Sequence, residues 1–299
     1  MTLDQLQIFA AVAEREHVTR AAEAMDMTQS AVSAAVASLE REFGTKLFHR
    51  VGRGIMLTEG GKLFLSEARA VLSRAEAARL SMHEFSGLAR GRLEIKASQT
   101  IASHFLPERL VDFHKSYPGL VLVVSVGNSA QVAQAITDGE VELGFIEGPE
   151  DAIRDHPHLA TELIAQDSLV MVVSSKHPWA KQKKFTAEDL AAGNWVVRED
   201  GSGTRAAFIE RLGTLGVPYE TLHIVIQLPS NEAVLAAVLA DAGAAILSKS
   251  VCASALQAGT LKSIPVSLAP RAFRAVQHAD RYRSRAVGAF LGILRGRAA

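Results

Sequence analysis

Residues 3–64 read LDQLQIFAAVAEREHVTRAAEAMDMTQSAVSAAVASLEREFGTKLFHRVGRGIMLTEGGKLF, and this stretch decides how the chain begins to fold. Apolar residues recur at helical spacing on both sides of a short connection at Asp26-Met27. Thr19 and Thr28 each precede a helical pattern, a position where a threonine side chain caps free backbone N–H groups. We therefore predict two helices joined by a tight turn, the second beginning after Thr28.

The second helix of this pair has two unlike faces. Its apolar stripe consists of Val32, Val36, Leu39 and Phe43. Its other face carries only short or hydrogen-bonding side chains, namely Gln29, Ser30, Ser33, Ala34 and Ala37. A DNA major groove, about 12 Å wide, admits a helix with such a face, and Gln29 can pair with adenine. Close packing against a neighbouring helix is the alternative use of the same residues.

The residues that follow predict a wing and a long helix. Residues 46–57, KLFHRVGRGIML, indicate two short strands around a turn, with Arg50 and Arg53 at its tip, where arginines suit phosphates or a minor groove. Thr58 then caps a helix expected to reach Phe85, a rod of roughly 40 Å. Six residues at alternating spacings of three and four predict a seam for a partner helix: Leu65, Ala68, Leu72, Ala75, Arg79 and Met82.

The pattern changes near residues 86–91, which we interpret as a linker. Short β-type runs then alternate with helical patterns, which predicts βαβ units and a mainly parallel sheet. The predicted strands include Leu120–Val126, Leu143–Ile146, Leu169–Val173, Trp195–Val197, Ile224–Ile226 and Ala244–Leu247.

Composition excludes several classes of protein. The 299 residues carry 32 Lys+Arg and 32 Asp+Glu, and residues 1–90 are balanced with 11 of each, which argues against purely electrostatic binding of nucleic acid. No apolar run approaches the ~18–20 residues of a membrane span, and the first residues lack the features of a signal peptide. The single cysteine, Cys252, suits a reducing compartment, so we expect a cytoplasmic protein without a membrane partner.

An enzyme is not indicated. The sequence contains no GxSxG elbow, HExxH helix, Walker loop or dinucleotide fingerprint, and we predict no catalytic residue, metal or cofactor. Two other classes remain open on these patterns. A solute-binding protein would explain the α/β part, and an architectural DNA-binding protein would explain the helical part.

Residues 3–64 resemble the LysR-type transcriptional regulators in order and spacing. The resemblance implies an N-terminal all-α winged helix-turn-helix, a long linker helix, and a C-terminal α/β effector domain with two lobes like those of periplasmic binding proteins. It differs at Ala34 and Ala35, because the family often has a long polar side chain after the recognition-helix serine. We expect DNA contacts at Thr28, Gln29, Ser30, Ser33, Ala34, Arg50 and Arg53.

The resemblance also predicts domains and partners. We expect a DNA-binding domain at 1–58, a linker and dimerisation helix at 59–90, and an effector domain at 91–299. Within the effector domain, lobe I would comprise 91–161 and 267–299, and lobe II would comprise 162–266. The implied partners are double-stranded DNA with an inverted repeat, a second copy through the linker helix, further copies in a tetramer, RNA polymerase and a small anionic effector.

Three loops follow predicted strands and open helices, which makes their hydroxyls and backbone N–H groups candidates for an anion site. We expect effector contacts at Ser98, Thr100, Asn128, Ser129, Ser202, Thr204 and Arg205. Ordinary N-capping is the alternative for each loop. Glu147 is also a candidate, either accepting a hydrogen bond from a hydroxyl or a protonated oxyanion, or pairing with Arg205.

Residues 127–149, GNSAQVAQAITDGEVELGFIEGP, and residues 198–205, REDGSGTR, resemble the branch of the family that includes regulators of sulfur and carbon assimilation. This resemblance implies a small inorganic oxyanion, such as sulfite or sulfate, as the effector. A small organic carboxylate is the alternative, since it satisfies the same donors.

Overall fold

The structure is a computed structural model that describes residues 1–52, 54–84, 91–149, 156 and 158–296. The predicted wing residue Arg53 and the linker residues 86–90 lie outside the described residues. The chain divides into two compact units, formed mainly by residues 1–86 and 87–299. Among the described helices, none is long and apolar enough to cross a membrane.

The first unit begins with three helices, α1 (Leu3–Arg15), α2 (Val18–Ala24) and α3 (Gln29–Phe43). The Thr28 hydroxyl accepts a hydrogen bond from the backbone of Ala31 (3.2 Å), so the predicted N-cap of α3 is confirmed. The prediction for Thr19 is wrong. Helix α2 begins one residue before it, and His17 occupies the cap position without a side-chain hydrogen bond.

The wing is an antiparallel pair, β1 (Phe48–Val51) and β2 (Gly54–Leu57). Glu40 of α3 connects to the start of this pair, because its Oε1 accepts from the backbone N–H of Leu47 at 2.9 Å, while Lys46 Nζ donates to Oε2 at 2.6 Å. Partial burial acts to raise the pKa of Glu40, but these donors outweigh it and lower the pKa below its ordinary value. The carboxylate thus fixes the wing to α3.

Helix α4 (Glu59–Glu84) follows the wing. Ala68 is 1% exposed and packs with Leu6 and Phe9 of α1, while Leu65 and Leu72 cover the same core. The predicted seam is therefore wrong for Ala68, and Leu65 and Leu72 also pack within the unit. Apolar residues that recur with the 3.6-residue period of a helix indicate a buried face, but they do not identify the element that packs against it. The side chain of Met82 lies outside what the structure describes.

Lobe I of the second unit contains a five-stranded sheet in the order β4-β3-β5-β12-β6. Its strands are β3 (Gly91–Ser98), β4 (Leu120–Gly127), β5 (Leu143–Glu147), β6 (Leu159–Asp167) and β12 (Arg271–His278). A π-helical turn (Ile101–Phe105) leads into α5 (Leu106–Ser116), and the other helices are α6 (Ser129–Asp138) and α11 (Arg285–Gly296). Phe113, Phe145 and Phe290 form the centre of the apolar core.

Lobe II contains an antiparallel sheet, β10-β7-β11, and a parallel pair, β8-β9. An isolated parallel bridge from Trp195 to Ala244 connects β8 to the residue before β10. The strands are β7 (Leu169–Ser174), β8 (Asn194–Arg198), β9 (His223–Leu228), β10 (Ala245–Ser248) and β11 (Leu261–Ser263). The helices are α7 (Ala187–Ala191), α8 (Gly203–Thr214), α9 (Asn231–Leu239) and α10 (Lys249–Gln257).

Two expectations about this unit need correction. The predicted lobe boundary at 161/162 falls inside β6, which pairs with β12 along its whole length, so the chain leaves lobe I only after Asp167. The sheets are mixed rather than mainly parallel, because β12 runs antiparallel to both β5 and β6. The chain leaves lobe I at the end of β6 and returns at the start of β12. Because these two strands are neighbours, they run in opposite directions.

Candidate functional site

The first candidate site is the start of α3. Its predicted readers Gln29, Ser30, Ser33 and Ala34 are all exposed, whereas Val32 and Leu39 on the opposite face are fully buried. Thr28 is exposed as well, and its hydroxyl lies 3.0 Å from that of Ser30. On the wing, Arg50 is exposed at the end of β1. The unit therefore exposes a helix face with short or polar side chains on α3, and an arginine on strand β1 of the wing.

The second candidate site lies where lobe I and lobe II meet. Oε1 of Glu147, at the end of β5, accepts hydrogen bonds from Thr100 (3.1 Å) and Thr204 (2.8 Å). Thr100 belongs to lobe I and Thr204 to the first turn of α8 in lobe II. Both threonines are buried, as is Glu147, so one carboxylate oxygen joins the two lobes through groups removed from water.

Arg271 also contacts the Glu147 carboxylate. Its Nη1 lies 3.2 Å from Glu147 Oε1, and its Nε donates to Asp167 at 2.8 Å. The same guanidinium donates to the hydroxyls of Thr204 (2.9 Å) and Thr100 (3.1 Å). Arg271 is 2% exposed and pairs with Asp167 across the two crossing strands. This group of five residues, Thr100, Glu147, Asp167, Thr204 and Arg271, is called the junction cluster below.

Sequence reasoning missed Arg271. It is the first residue of the strand RAFRAVQH, where the two-residue period puts it on the same face as the apolar Phe273 and Ala275, and a charge on that face is the available signal. The proposed pairing of Glu147 with Arg205 is wrong. Arg205 donates to Gln227 (2.7 Å) and Tyr219 (2.8 Å) within lobe II and forms an ion pair with Asp200.

The other predicted effector residues have separate roles in the structure. Ser129 donates to the backbone oxygen of Glu147 at 3.0 Å, and Ser202 caps α8 through the backbone of Arg205. Asn128 of lobe I donates to Glu199 (3.3 Å) and to the backbone of Asp200 (3.2 Å) in lobe II. Asn128 thus bridges the lobes, whereas Ser129 and Ser202 fix backbone beside the junction cluster.

A second bridge, also missed from the sequence, surrounds Arg198 at the end of β8. Its guanidinium donates to Asn231 at 2.6 Å and to Gln99 of lobe I at 3.1 Å, and it forms an ion pair with Glu199. Burial acts to raise the pKa of Glu199, but Arg198 and Asn128 lower it below its ordinary value. Asn231 also donates to Thr100 at 2.9 Å, which connects this bridge to the junction cluster.

Gly203, the first residue of α8, allows the lobes to approach each other. A Cβ at this position would overlap the backbone oxygen of Glu147. The N-terminus of α8 therefore lies directly against the end of β5, where its partial positive charge favours a carboxylate.

Redox and metal chemistry find no support in the described residues. Burial, with a contribution from Asp167, raises the pKa of the Cys252 thiol to about 12, so the reactive thiolate is suppressed. No group of three or more His, Cys, Asp or Glu side chains in the described part of the chain is placed to hold a metal ion.

The fold and these two sites define a winged-helix DNA-binding protein with a two-lobed ligand-binding domain. Residues 3–62 match the model of the bacterial regulatory helix-turn-helix proteins of the lysR family, and residues 86–299 match the LysR substrate binding domain. The chain therefore belongs to the LysR family of transcriptional regulators, which are DNA-binding proteins with an effector-binding domain and are not enzymes.

Individual relatives cover nearly the whole chain. The Uncharacterized HTH-type transcriptional regulator YeiE of Escherichia coli (strain K12) is 36% identical over 97% of this chain and 96% of its own length. The Probable RuBisCO transcriptional regulator of Trichormus variabilis is 31% identical over 97% of this chain and 86% of its own length. The crystal structure of full-length CbnR with its target DNA has the same fold, with a TM-score of 0.70, 22% identity and full coverage of both chains.

Replacing Arg271 with Met tests the junction cluster. The variant leaves Glu147 and Asp167 as buried carboxylates without their cation, so we expect the free energy of unfolding to fall by about 3–5 kcal/mol. Arg295→Met is the matched control, because the ion pair of Arg295 with Glu162 is largely exposed and should contribute little. Urea unfolding of the full chain measures both. Equal small losses in the two variants would contradict the role assigned to Arg271.

Proposed function

We propose that this chain is a sequence-specific transcriptional regulator that acts in the bacterial cytoplasm and responds to a small anion bound between lobe I and lobe II. One observation carries the effector part of the proposal. Donors from both lobes, Thr100, Thr204 and Arg271, converge on a single carboxylate oxygen in a site removed from water. Hydroxyls and a guanidinium are the groups that bind anions in proteins.

A ligand at this place would change how often the two lobes are joined. Because Glu147 is held by donors from both of them, a ligand beside this carboxylate binds the joined arrangement more tightly than a separated one and shifts the population towards it. The change in population is the signal that the effector supplies. An inorganic oxyanion such as sulfite or sulfate is the first candidate, and a small organic carboxylate is the second.

Two alanine variants test the effector site. Thr100→Ala and Thr204→Ala each remove a hydrogen bond that holds the Glu147 carboxylate between the lobes, so each should weaken binding of an anion beside that carboxylate by about 1 kcal/mol or more. Thr214→Ala, at the other end of α8 and exposed, is the control. Titration calorimetry of the full chain follows a thermal-shift panel of sulfite, sulfate and small carboxylates. Unaltered affinity in both variants, for the anion that binds, would place the site elsewhere.

The DNA part of the proposal assigns base reading to α3. Its exposed residues Thr28, Gln29, Ser30, Ser33 and Ala34 suit the major groove, and the exposed Arg50 suits phosphates or a minor groove. Arg53 has the same predicted role from the sequence. Contact with RNA polymerase stays a prediction from the family resemblance.

Gln29→Ala should cost about 1–3 kcal/mol on the cognate operator, because it removes a bidentate contact to a base. Arg50→Ala should weaken all DNA sequences to a similar degree and reduce the dependence of affinity on salt. Operator and scrambled-DNA titrations at several salt concentrations separate the two effects. An unchanged operator affinity for the Gln29 variant would show that this face is misassigned.

We also propose dimerisation through α4, with two reading heads on an inverted repeat and tetramers formed through the effector domains. The residues that support it differ from the predicted seam. Leu63 and Val71 lie two turns apart on α4 and are 69% and 40% exposed, although both are apolar.

Introducing a charge on this face should weaken the dimer. Leu63→Glu and Val71→Glu are expected to raise the dimer dissociation constant at least tenfold, since each buries a carboxylate in an apolar interface. Leu239→Glu, which charges an exposed apolar position of lobe II, is the control. Sedimentation equilibrium measures the constants. A wild-type chain that stays monomeric at micromolar concentration would refute the assembly.

A further inference from the structure

Two buried polar atoms at the carboxyl ends of β3 and β5, one of them in the junction cluster, have no hydrogen-bond partner among the described residues. They are Ser98 Oγ and Glu147 Oε2, on side chains that are 2% and 3% exposed. A buried polar group left without a partner costs about 1–3 kcal/mol. Two such atoms at the ends of neighbouring strands point to a bound group that satisfies both.

The two atoms belong to neighbouring parallel strands. β3 and β5 pair in register at Ala97 and Phe145, so Ser98 and Glu147 both lie at the carboxyl ends of these strands. Ligands of α/β sheets bind at such ends. The geometry therefore places one hydroxyl and one carboxylate oxygen at the same edge of the sheet, and the N-terminus of α8 lies against Glu147.

The hydroxyl protons of the junction cluster are already committed. Each threonine hydroxyl has one proton, and both Thr100 and Thr204 direct it to Glu147 Oε1 while they accept from Arg271. The three donors to Oε1 leave Oε2 as an acceptor only, because a carboxylate has no proton of its own to give. An anion that brings only acceptor oxygens would meet this oxygen as a like charge.

We propose that Glu147 Oε2 selects effectors that carry a hydrogen-bond donor of their own. The effector is then an anion with one oxygen that accepts from Ser98 and one O–H that donates to Glu147, as in a protonated inorganic oxyanion or a hydroxy acid. Sulfate, which has lost both protons at neutral pH, is disfavoured. This inference rests on the proposed function and narrows the class of its ligand.

Matched pairs of anions test the selection on the full wild-type chain by titration calorimetry. Phosphate and sulfate share size and tetrahedral shape, but only phosphate keeps a proton at neutral pH. Lactate and propionate are the organic pair and differ by one hydroxyl. Sulfite itself provides a third comparison, since it loses its single proton as the pH rises past neutrality. We expect the member with the donor to bind at least about tenfold more tightly in every pair that binds.

Two variants assign the preference to a residue. Glu147→Gln keeps the shape and an oxygen for the threonines but offers an N–H in place of Oε2, so the preference should vanish and sulfate should gain affinity. Ser98→Ala should weaken both members of a pair alike and leave their ratio unchanged. A purely structural role for Glu147 would alter melting temperature without altering this ratio.

The outcomes separate the inference from the proposed function. Equal or tighter binding of the member without a donor, in wild-type protein, overturns the inference while the anion site stands. Binding of no anion in any pair overturns both, and ordered water then satisfies Ser98 and Glu147. A donor preference that persists in Glu147→Gln overturns the assignment to this residue.

Discussion

The ion pairs of Arg271 are the interaction on which the effector domain depends. A guanidinium that is almost fully buried is stable only where its charge is neutralised and its N–H groups are bonded. Asp167 and Glu147 supply the charge, and Thr100 and Thr204 supply further acceptors. Since these partners come from both lobes, the requirements of one side chain bring the lobes together.

The position of this arginine follows from topology. β6 and β12 are the strands next to the two crossings between lobes, and their pairing puts Asp167 opposite Arg271. Ser248, at the end of β10 in lobe II, donates to the remaining oxygen of Asp167 at 2.7 Å. The carboxylate at the crossing is thereby bonded on both sides. A shift of register by one residue would turn Arg271 to the opposite face of the sheet and break the cluster.

Local patterns in the sequence predicted most of the elements and part of the candidate site. The stripe of Val32 and Leu39 on α3, the cap at Thr28 and the strand predicted at Leu143–Ile146, which the structure extends by one residue, depend on near neighbours whose spacing is visible in the chain. The partner of Glu147 is not visible, because Arg271 is distant in sequence and only the sheet order brings the two together. For the same reason, periodicity marked the buried face of Ala68 but did not identify α1 as its cover.

The two oxygens of Glu147 have different roles within one rigid group. Oε1 is held by donors from both lobes, whereas Oε2 has no partner among the described residues. Because a carboxylate is planar and its oxygens move together, Oε2 is correctly placed only while Oε1 keeps its donors and the lobes are joined. A ligand that bonds to Oε2 therefore recognises the joined arrangement specifically. By linkage, such a bond would favour that arrangement over any in which Thr204 has left Oε1, and one side chain would then serve both recognition of the proposed effector and the response to it.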